Sequence, residues 1–280
     1  MRRILVAMAA LGLLLAACAS ENSTVSGSGS PSAASFSKDS LNLVNPGQLT
    51  VATDNPAYPP WFKKNDPSNG MGYESAVAYA VAEGLGFGAD EVKWVVEPFS
   101  KTYAPGPKSY DFAIEQISIL PERAEVVTFS DGYYDDQQAL IAIKGTPIAS
   151  ATTMAELKQY KFGAEIGTTS LVFISQNIQP TQQPAVYDHT SEAKPALENG
   201  QIDGMILDLP TASYTQYSIK DATLVGKFPF AGEQFGMAFE KGNPLVTCVN
   251  EALADLKSAG TLDQLQKQWL ESYLSVPLIQ

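Results

Sequence analysis

Short apolar stretches and helix-periodic stretches alternate along this chain from residue 48 onward. Residues 48–53 are apolar and β-branched and end at an aspartate, which predicts a strand. Between residues 74 and 85 the apolar side chains recur at helical spacing, and Gly86 and Gly88 end that helix. Residues 92–96 predict the next strand. The order strand, helix, strand implies a parallel sheet with a right-handed crossover.

The same alternation restarts after residue 144, so the pattern predicts an α/β chain with two rounds of β-α-β and a helical end. Further strands are predicted at residues 112–119, 138–143, 161–166, 203–208 and 235–239. Further helices are predicted at residues 153–160, 167–178, 191–199, 245–258 and 262–270.

The first residues resemble a secretion signal. Two arginines precede an apolar run at residues 4–17, which is shorter than the about 20 residues that a membrane-spanning helix needs. Residues 15–18 (LAAC) resemble a bacterial lipobox, which implies a signal peptide at residues 1–17 and lipidation of Cys18. An ordinary signal peptide with a chance cysteine is the alternative. Residues 18–45, rich in serine, then form the lipidated cysteine and a flexible tether.

Composition narrows the functional classes. With 30 acidic and 18 basic residues, the net charge of −12 argues against nucleic-acid binding and tolerates a cationic ligand. His189 is the only histidine, which leaves little material for a catalytic triad or a multi-histidine metal site, so neither a metal nor a cofactor is expected. Cys248 is the only cysteine besides Cys18, and its position in a helical pattern predicts burial.

Four segments and a C-terminal tail resemble the extracellular solute-binding proteins, family 3, of bacterial ABC transporters, the binders of polar amino acids. The resemblance spans about residues 46–270, and the common order of the pieces makes it specific. The pieces are VATD (51–54) with YPPW (58–61), GYE (72–74), SILPER (118–123) with FSDGYY (129–134), GTTS (167–170), and GMAF (236–239) with GTLD (260–263).

The resemblance implies a type II periplasmic-binding-protein fold, in which two α/β lobes are joined by two hinge strands. Lobe 1 would comprise residues 46–141 plus 238–280, and lobe 2 residues 142–237, with hinges near residues 143–144 and 238–239. A monomer would close around an amino acid and deliver it to an ABC permease. It would act outside the cytoplasm, anchored to the cell membrane by lipidated Cys18, and it would not be an enzyme.

The resemblance also implies a partner for each charge of the amino-acid backbone. Arg123 would hold the carboxylate with its planar guanidinium. The alternative is a surface arginine paired with Glu122 or Glu125. Asp208 would hold the ammonium group, unless it only caps the helix that begins at Pro210.

Further residues would complete the cleft. Ser118 would bond either end of the ligand. Thr168 and Thr169 place backbone N–H groups at a helix start, which favours an anion, although a plain helix cap uses the same atoms. Three aromatic residues would form apolar or cation–π walls, unless they only pack within their own lobe: Tyr58, Trp61 and Phe99.

Three acidic positions indicate the ligand side chain. Glu115 and Glu165 depart from the family pattern, and Asp54 lies in its usual place. Carboxylates at close range raise each other's pKa, and a cationic ligand side chain would compensate them. The ligand would then be arginine, lysine, ornithine or a related amine. The alternative is that Glu115 turns back to Gln116 or Lys101 and binds nothing.

Two other functions are compatible with such a fold. One is a periplasmic dehydratase-like enzyme in which a glutamate serves as general acid. The other is a sensor domain that docks to a membrane receptor. Turnover of a bound carboxylic acid would reveal the enzyme, and neighbouring permease and ATPase genes would favour transport over sensing.

Overall fold

The computed structural model describes residues 37–280 of the chain. The predicted signal peptide at residues 1–17, Cys18 and most of the tether lie outside the described residues. Within residues 37–280, no helix combines the length and the apolar character that crossing a bilayer requires.

The strands form two five-stranded sheets and a two-stranded ribbon. They are β1 (Leu49–Thr53), β2 (Val92–Val96), β3 (Phe112–Ala113), β4 (Val127–Phe129), β5 (Tyr134–Asp135), β6 (Gln138–Ile143), β7 (Phe162–Glu165), β8 (Ala185–Tyr187), β9 (Gly204–Asp208), β10 (Ala222–Lys227), β11 (Gln234–Phe235) and β12 (Ala238–Glu240). The α-helices are α1 (Tyr73–Gly84), α2 (Phe99–Thr102), α3 (Pro121–Ala124), α4 (Met154–Leu157), α5 (Thr169–Phe173), α6 (Thr190–Glu198), α7 (Leu209–Thr215), α8 (Leu245–Ser258), α9 (Thr261–Trp269) and α10 (Glu271–Leu274).

The first sheet, which defines lobe 1, has the order β2-β1-β3-β12-β4. β1 pairs in parallel with β2 and β3, and all of its residues are buried. Its residues, LTVAT, are all apolar or β-branched, as expected for a strand that is covered on both faces. α1, α8 and α9 pack against one another, and the buried core of the lobe includes Trp61, Tyr73 and Phe239. Cys248 in α8 is only partly buried against this core.

The second sheet, which defines lobe 2, has the order β10-β6-β9-β7-β8. β7 pairs in parallel with β8 and β9, while β6 is antiparallel to β9 and β10. Alternate residues of β6 belong to two separate buried clusters, with Ile141 in one and Leu140 in the other. This alternation shows that apolar side chains cover both faces of the sheet.

The chain passes from lobe 1 to lobe 2 through β5 and returns through β11, and these two segments pair as an antiparallel ribbon. Each crossing leads into a strand that is antiparallel to its new neighbours, β6 in lobe 2 and β12 in lobe 1. Each sheet is thus completed by chain that has come from the other lobe. The predicted fold class, two α/β lobes joined by two crossings, is confirmed.

The lobe boundaries differ from those expected from the sequence. Residues 138–141, assigned to lobe 1, belong to β6, which is hydrogen-bonded between β9 and β10 of lobe 2. The first crossing therefore lies before residue 138 and not at residues 143–144, and the second precedes β12. Residues 271–280 also leave lobe 1, because α10 packs on α7 and Ile279 is buried in a lobe 2 core.

Several predicted elements are shorter in the structure. The strand predicted at residues 112–119 is regular only at β3, since Gln116 adopts a φ of 54° that ends the extended run. The helix predicted at residues 153–160 is reduced to α4. The helix predicted at residues 167–178 is α-helical only at α5 and continues as a π-helix at Ile174–Ile178.

Candidate ligand-binding cleft

The carboxyl ends of the parallel strands carry acidic side chains. In lobe 1, Asp54 directly follows β1 and Glu115 follows β3, and the parallel register of these two strands brings both residues to one sheet edge. In lobe 2, Glu165 ends β7 and Asp208 ends β9. Ligands of open α/β sheets bind outside the carboxyl ends of the strands. All four carboxyl groups line the cavity between the lobes.

Most of the residues predicted to bind the ligand line this cavity, and Trp61 and Arg123 do not. The predicted residues that line it are Asp54, Tyr58, Phe99, Glu115, Ser118, Glu165, Thr168, Thr169 and Asp208. Lining residues that the sequence did not single out include Gln116, Ser170, Thr190 and Thr211.

Trp61 is not a wall of the cavity, contrary to the prediction. Its ring is fully buried in the core of lobe 1, edge-on to Tyr73, Tyr134 and Phe235 at centroid distances of 6.0, 5.2 and 5.6 Å. Its N–H donates to Thr211 Oγ1 of lobe 2 at 2.7 Å. An indole has one apolar body and one polar edge, so the same side chain packs in one lobe and links it to the other.

Further hydrogen bonds join the two lobes. Ser191 N–H donates to the Tyr58 hydroxyl at 3.3 Å. The Tyr103 hydroxyl and Arg123 Nη2 both donate to the Gly167 carbonyl, at 3.4 and 2.8 Å. Gly167 has a φ of +76°, and a Cβ there would lie 2.3 Å from the Tyr103 hydroxyl, so only glycine permits this close approach. The two lobes are therefore in contact around the cavity.

Asp54, Glu115 and Glu165 form a cluster that we call the acidic pocket. Glu115 is only 5% exposed, and neither of its carboxylate oxygens has a hydrogen-bond partner among the described residues. Burial raises the pKa of Glu115 well above its usual value, and the Asp54 carboxylate raises it further. The nearby Thr102 hydroxyl and Asp54 backbone oppose that rise only in part.

Glu165 is held by the start of α6. Its Oε2 accepts from Thr190 N–H at 2.6 Å and from Thr190 Oγ1 at 2.9 Å. Burial raises the pKa of Glu165, and the bonds from Thr190 oppose that rise. His189 Nδ1 lies 4.0 Å from Asp54 Oδ2. Asp54, Glu165 and His189 offer atoms within 4.8 Å of one another and are one of two groups among the described residues that could hold a metal ion.

A second acidic group surrounds the amide of Gln138, and we call it the amide-bridged cluster. Gln138 Nε2 donates to Asp208 Oδ1 at 2.9 Å and Glu233 Oε2 at 3.1 Å, and lies 3.5 Å from Asp136 Oδ2. Gln138 Oε1 accepts from Ser170 Oγ at 2.6 Å. The three carboxyl groups also satisfy the distances of a metal site, with the amide nitrogen among them.

The two aspartates of the amide-bridged cluster have raised pKa values. Burial raises the pKa of both Asp136 and Asp208, and the negative charge of Glu233 raises both further. Asp136 is fully buried, and its Oδ1 has no partner among residues 37–280. Asp208 lies at the N-cap position of α7, but its side chain makes no capping bond, so the alternative role of a simple cap is not observed.

Arg123 lies beside the cavity rather than in its lining. Nη1 donates to the Ser118 carbonyl at 3.0 Å, and Nη2 to the Gly167 carbonyl. The guanidinium carbon is 4.3 Å from the ring centroid of Tyr103 and 5.5 Å from that of Phe99. With 5% of its surface exposed, Arg123 is not the surface arginine of the alternative interpretation. Burial lowers its pKa, against the opposing effect of nearby negative groups.

The other predicted carboxylate partners also have protein partners. Ser118 Oγ donates to Glu233 Oε1 at 2.6 Å. Thr168 is the N-cap of α5, where its Oγ1 accepts from Leu171 N–H at 3.2 Å. Thr169 begins that helix. Thr168 therefore acts as a helix cap and as a lining residue at once.

Glu74, which the sequence reasoning missed, positions the loop that carries Glu115 and Ser118. Its Oε1 accepts from Gln116 N–H at 2.6 Å and from the Tyr133 hydroxyl at 2.5 Å, and its Oε2 accepts from the Gln116 side-chain amide. Burial raises the pKa of Glu74 to about 7. Because Gln116 is bound to Glu74, it is not the alternative partner of Glu115.

The fold and the cleft define a family. Residues 49–272 match the bacterial extracellular solute-binding proteins, family 3, and the chain belongs to that family. The resemblance inferred from the sequence motifs is thereby confirmed.

Individual relatives agree with this assignment. The chain is 30% identical over 270 residues to the ABC transporter glutamine-binding protein GlnH of Bacillus subtilis, covering 92% of this chain and 93% of the relative. An ancestral arginine-binding protein bound to arginine is 30% identical, with a TM-score of 0.67 over 80% of this chain and 98% of that one. The ancestral amino acid-binding protein AncCDT-1, a precursor of cyclohexadienyl dehydratase, is 27% identical, with a TM-score of 0.66 over 80% and 96%.

Proposed function

We propose that this protein captures an amino acid with a positively charged side chain, such as arginine, lysine or ornithine, and delivers it to an ABC permease. The observation that carries the proposal is the acidic pocket, where three carboxyl groups line one cavity and Glu115 has no hydrogen-bond partner among the described residues. The relatives named for glutamine and for arginine support an amino acid as ligand without selecting the side chain.

The energetics favour a cation in the acidic pocket. Burying a polar group without a partner costs about 1–3 kcal/mol, and burying an unpaired carboxylate costs more. The carboxyl group avoids this cost only if it stays protonated or finds a partner. The raised pKa of Glu115 means that its carboxyl group holds its proton more strongly than usual while no ligand is bound. A ligand ammonium or guanidinium group would be a partner for the charged carboxylate, and it would be present only while the ligand is bound. Neutral and acidic side chains provide no such compensation.

The amino-acid backbone would bind at the neighbouring carboxyl group of lobe 2. Asp208 lines the cavity and holds a raised pKa, so an arriving ammonium group would favour its charged form. Arg123 and Ser118 lie next to the cavity for the carboxylate, although each already bonds to a protein acceptor. The contacts between the lobes support capture by closure.

The location is part of the same proposal. The protein would be a monomer held at the cell membrane by lipidated Cys18. Mass spectrometry of the N-terminal peptide from membrane fractions tests the anchor. A diacylglycerol-modified Cys18 is the expected result, and an unmodified peptide that retains residues 1–17 would contradict it.

Isothermal titration of the purified protein with arginine, lysine, ornithine, glutamine, glutamate and cystine tests the ligand. We expect binding of the three cationic amino acids only. In a parallel thermal-shift experiment, ligand at 100 times its Kd stabilises a protein by about 2.7 kcal/mol. Binding of glutamine or glutamate alone would contradict the cationic assignment. Recovery of the ligand unchanged after long incubation separates capture from dehydratase-like turnover.

A further inference from the structure

The charge balance of the cavity points beyond basic amino acids. Its lining contains four carboxyl groups, from Asp54, Glu115, Glu165 and Asp208, and no lysine, arginine or histidine among the residues that the structure describes. An amino acid with a cationic side chain has one net positive charge, because its carboxylate cancels its α-ammonium group. A linear diamine of the same length has two net positive charges, because it has no carboxylate. The lining therefore matches the diamine better by charge alone.

Arg123 and Ser118, two of the donors expected to bind a ligand carboxylate, are already bonded to the protein. Arg123 donates to the carbonyls of Ser118 and Gly167 and stacks on Tyr103. The single hydroxyl proton of Ser118 is donated to Glu233. A ligand carboxylate would have to displace these acceptors, and displacing an interlobe hydrogen bond weakens closure.

The carboxylate of Glu233 lies next to Ser118, where a ligand carboxylate would bind. Its Oε1 accepts from Ser118 and its Oε2 from Gln138. A ligand carboxylate at Ser118 would lie beside Glu233 and close to Asp208, and like charges in a buried site repel. An ammonium group at the same position is attracted by the carboxylates of Glu233 and Asp208, which outnumber the one nearby cation, Arg123.

The amide-bridged cluster has the geometry of an ammonium site. Gln138 Nε2 lies within 3.5 Å of Asp136, Asp208 and Glu233, but an amide nitrogen has only two protons for three carboxyl groups. The second oxygen of fully buried Asp136 has no partner among residues 37–280. An ammonium group carries three donors and a full charge, which suits this cluster better than the amide does.

We propose that the cleft also binds linear amines that lack a carboxylate, with at least the affinity it has for basic amino acids of the same carbon chain. One amino group would bind in the acidic pocket and the other at Asp208, beside the amide-bridged cluster. The inference shares the acidic pocket with the proposed function, but it removes the need for a carboxylate partner.

Three matched pairs test it, since each amine differs from its amino acid by the carboxylate only: lysine and cadaverine, ornithine and putrescine, arginine and agmatine. Titration calorimetry gives the two Kd values of each pair. We expect each amine to bind as tightly as its amino acid or more tightly. If the amines bind more than about tenfold more weakly, equal to about 1.4 kcal/mol, the inference is overturned while the proposed function survives. If neither member of any pair binds, both are overturned.

A variant separates the role of Glu233 from general acidity. Glu233→Gln keeps an acceptor for Ser118 but removes the charge, so we expect the affinity ratio of lysine to cadaverine to rise by about tenfold. Glu83→Gln, at an exposed position of α1, is the matched control and should leave the ratio unchanged. An unchanged ratio in Glu233→Gln, with binding intact, would show that this carboxylate does not exclude the ligand carboxylate.

Discussion

The acidic pocket and the amide-bridged cluster use the same residue types in opposite ways. In the acidic pocket, the three carboxyl groups come from strand ends of both lobes. The carboxyl group of Glu115 has no hydrogen-bond partner among the described residues. In the amide-bridged cluster, one side chain, Gln138, connects all three carboxyl groups. In the first cluster, Glu115 is left for a ligand to compensate, whereas the carboxyl groups of the second cluster are partly compensated by Gln138.

This difference indicates what each cluster contributes. An uncompensated carboxyl group penalises every ligand without a cation, so the acidic pocket determines selectivity. A partly compensated cluster keeps its carboxyl groups in place before the ligand arrives, so it contributes affinity by preorganisation. Substitutions in the two clusters should therefore have different signatures, which the following predictions use.

The largest effect is expected at Asp208. Asp208→Asn keeps the size of the side chain but removes the charge that an ammonium group meets in the cavity. Loss of one partner of a buried charged pair costs about 2–5 kcal/mol, so the Kd for lysine should rise by about 30-fold or more in titration calorimetry. Asp255→Asn, on an exposed face of α8, is the control. An unchanged Kd in Asp208→Asn would remove this residue from the binding site.

At Glu115 we expect weaker binding together with higher stability. Glu115→Gln should raise the Kd for lysine by about tenfold, because the two other carboxyl groups of the acidic pocket remain. It should also increase the free energy of unfolding of the ligand-free protein by about 1–3 kcal/mol near neutral pH, because an amide cannot ionise and the cost of keeping a buried carboxyl group protonated at that pH disappears. Urea unfolding with and without lysine measures both effects. Lower stability of the variant would contradict an uncompensated Glu115.

The pH dependence follows from the raised pKa values. A carboxyl group whose folded pKa lies above its unfolded value loses protons less readily when folded, so the ligand-free protein loses stability as pH rises above about 4. Binding a cation favours the charged carboxylates and releases protons, so affinity should rise with pH by up to about tenfold per unit for each proton released. Titrations between about pH 5 and pH 8 should show this rise, reduced in Glu115→Gln. A flat profile would mean that no proton leaves on binding.

The smallest effect is expected away from both clusters. Thr211→Val removes the acceptor of the Trp61 N–H bond between the lobes while preserving the size of the side chain. Loss of one hydrogen bond costs about 1 kcal/mol, so the Kd for every ligand should rise by about fivefold without a change in selectivity. A change in the ratio of lysine to arginine affinity would show that Thr211 contacts the ligand side chain directly.

The sequence predicted most of the fold because its strands are either fully covered or clearly periodic. β1 is apolar or β-branched at every position and is buried between β2 and β3, and α8 carries a helical apolar stripe. The boundaries of the lobes were wrong because β6 is equally apolar in either lobe, and only pairing with β9 and β10 decides its place. Local pattern contains no information on which sheet an apolar strand joins.

The candidate site was predicted where residues lie at strand ends and missed where long-range pairing decides. Asp54 and Asp208 lie at the ends of apolar strands, and the family resemblance assigned both to the cleft. Trp61 was placed in the cleft because its core partners are distant in sequence. Glu233 was missed because it lies in a crossing segment without periodicity. Glu74 lies in the GYE motif that supported the family resemblance, so that motif contained a usable signal.

The late return of the chain to lobe 1 has a consequence for the order of folding. As the chain is synthesised from its N-terminus, the first sheet lacks the strand between β3 and β4 until residues 238–240 have been made. Nearly the whole polypeptide must therefore exist before lobe 1 can close its sheet, and such long-range pairing slows folding.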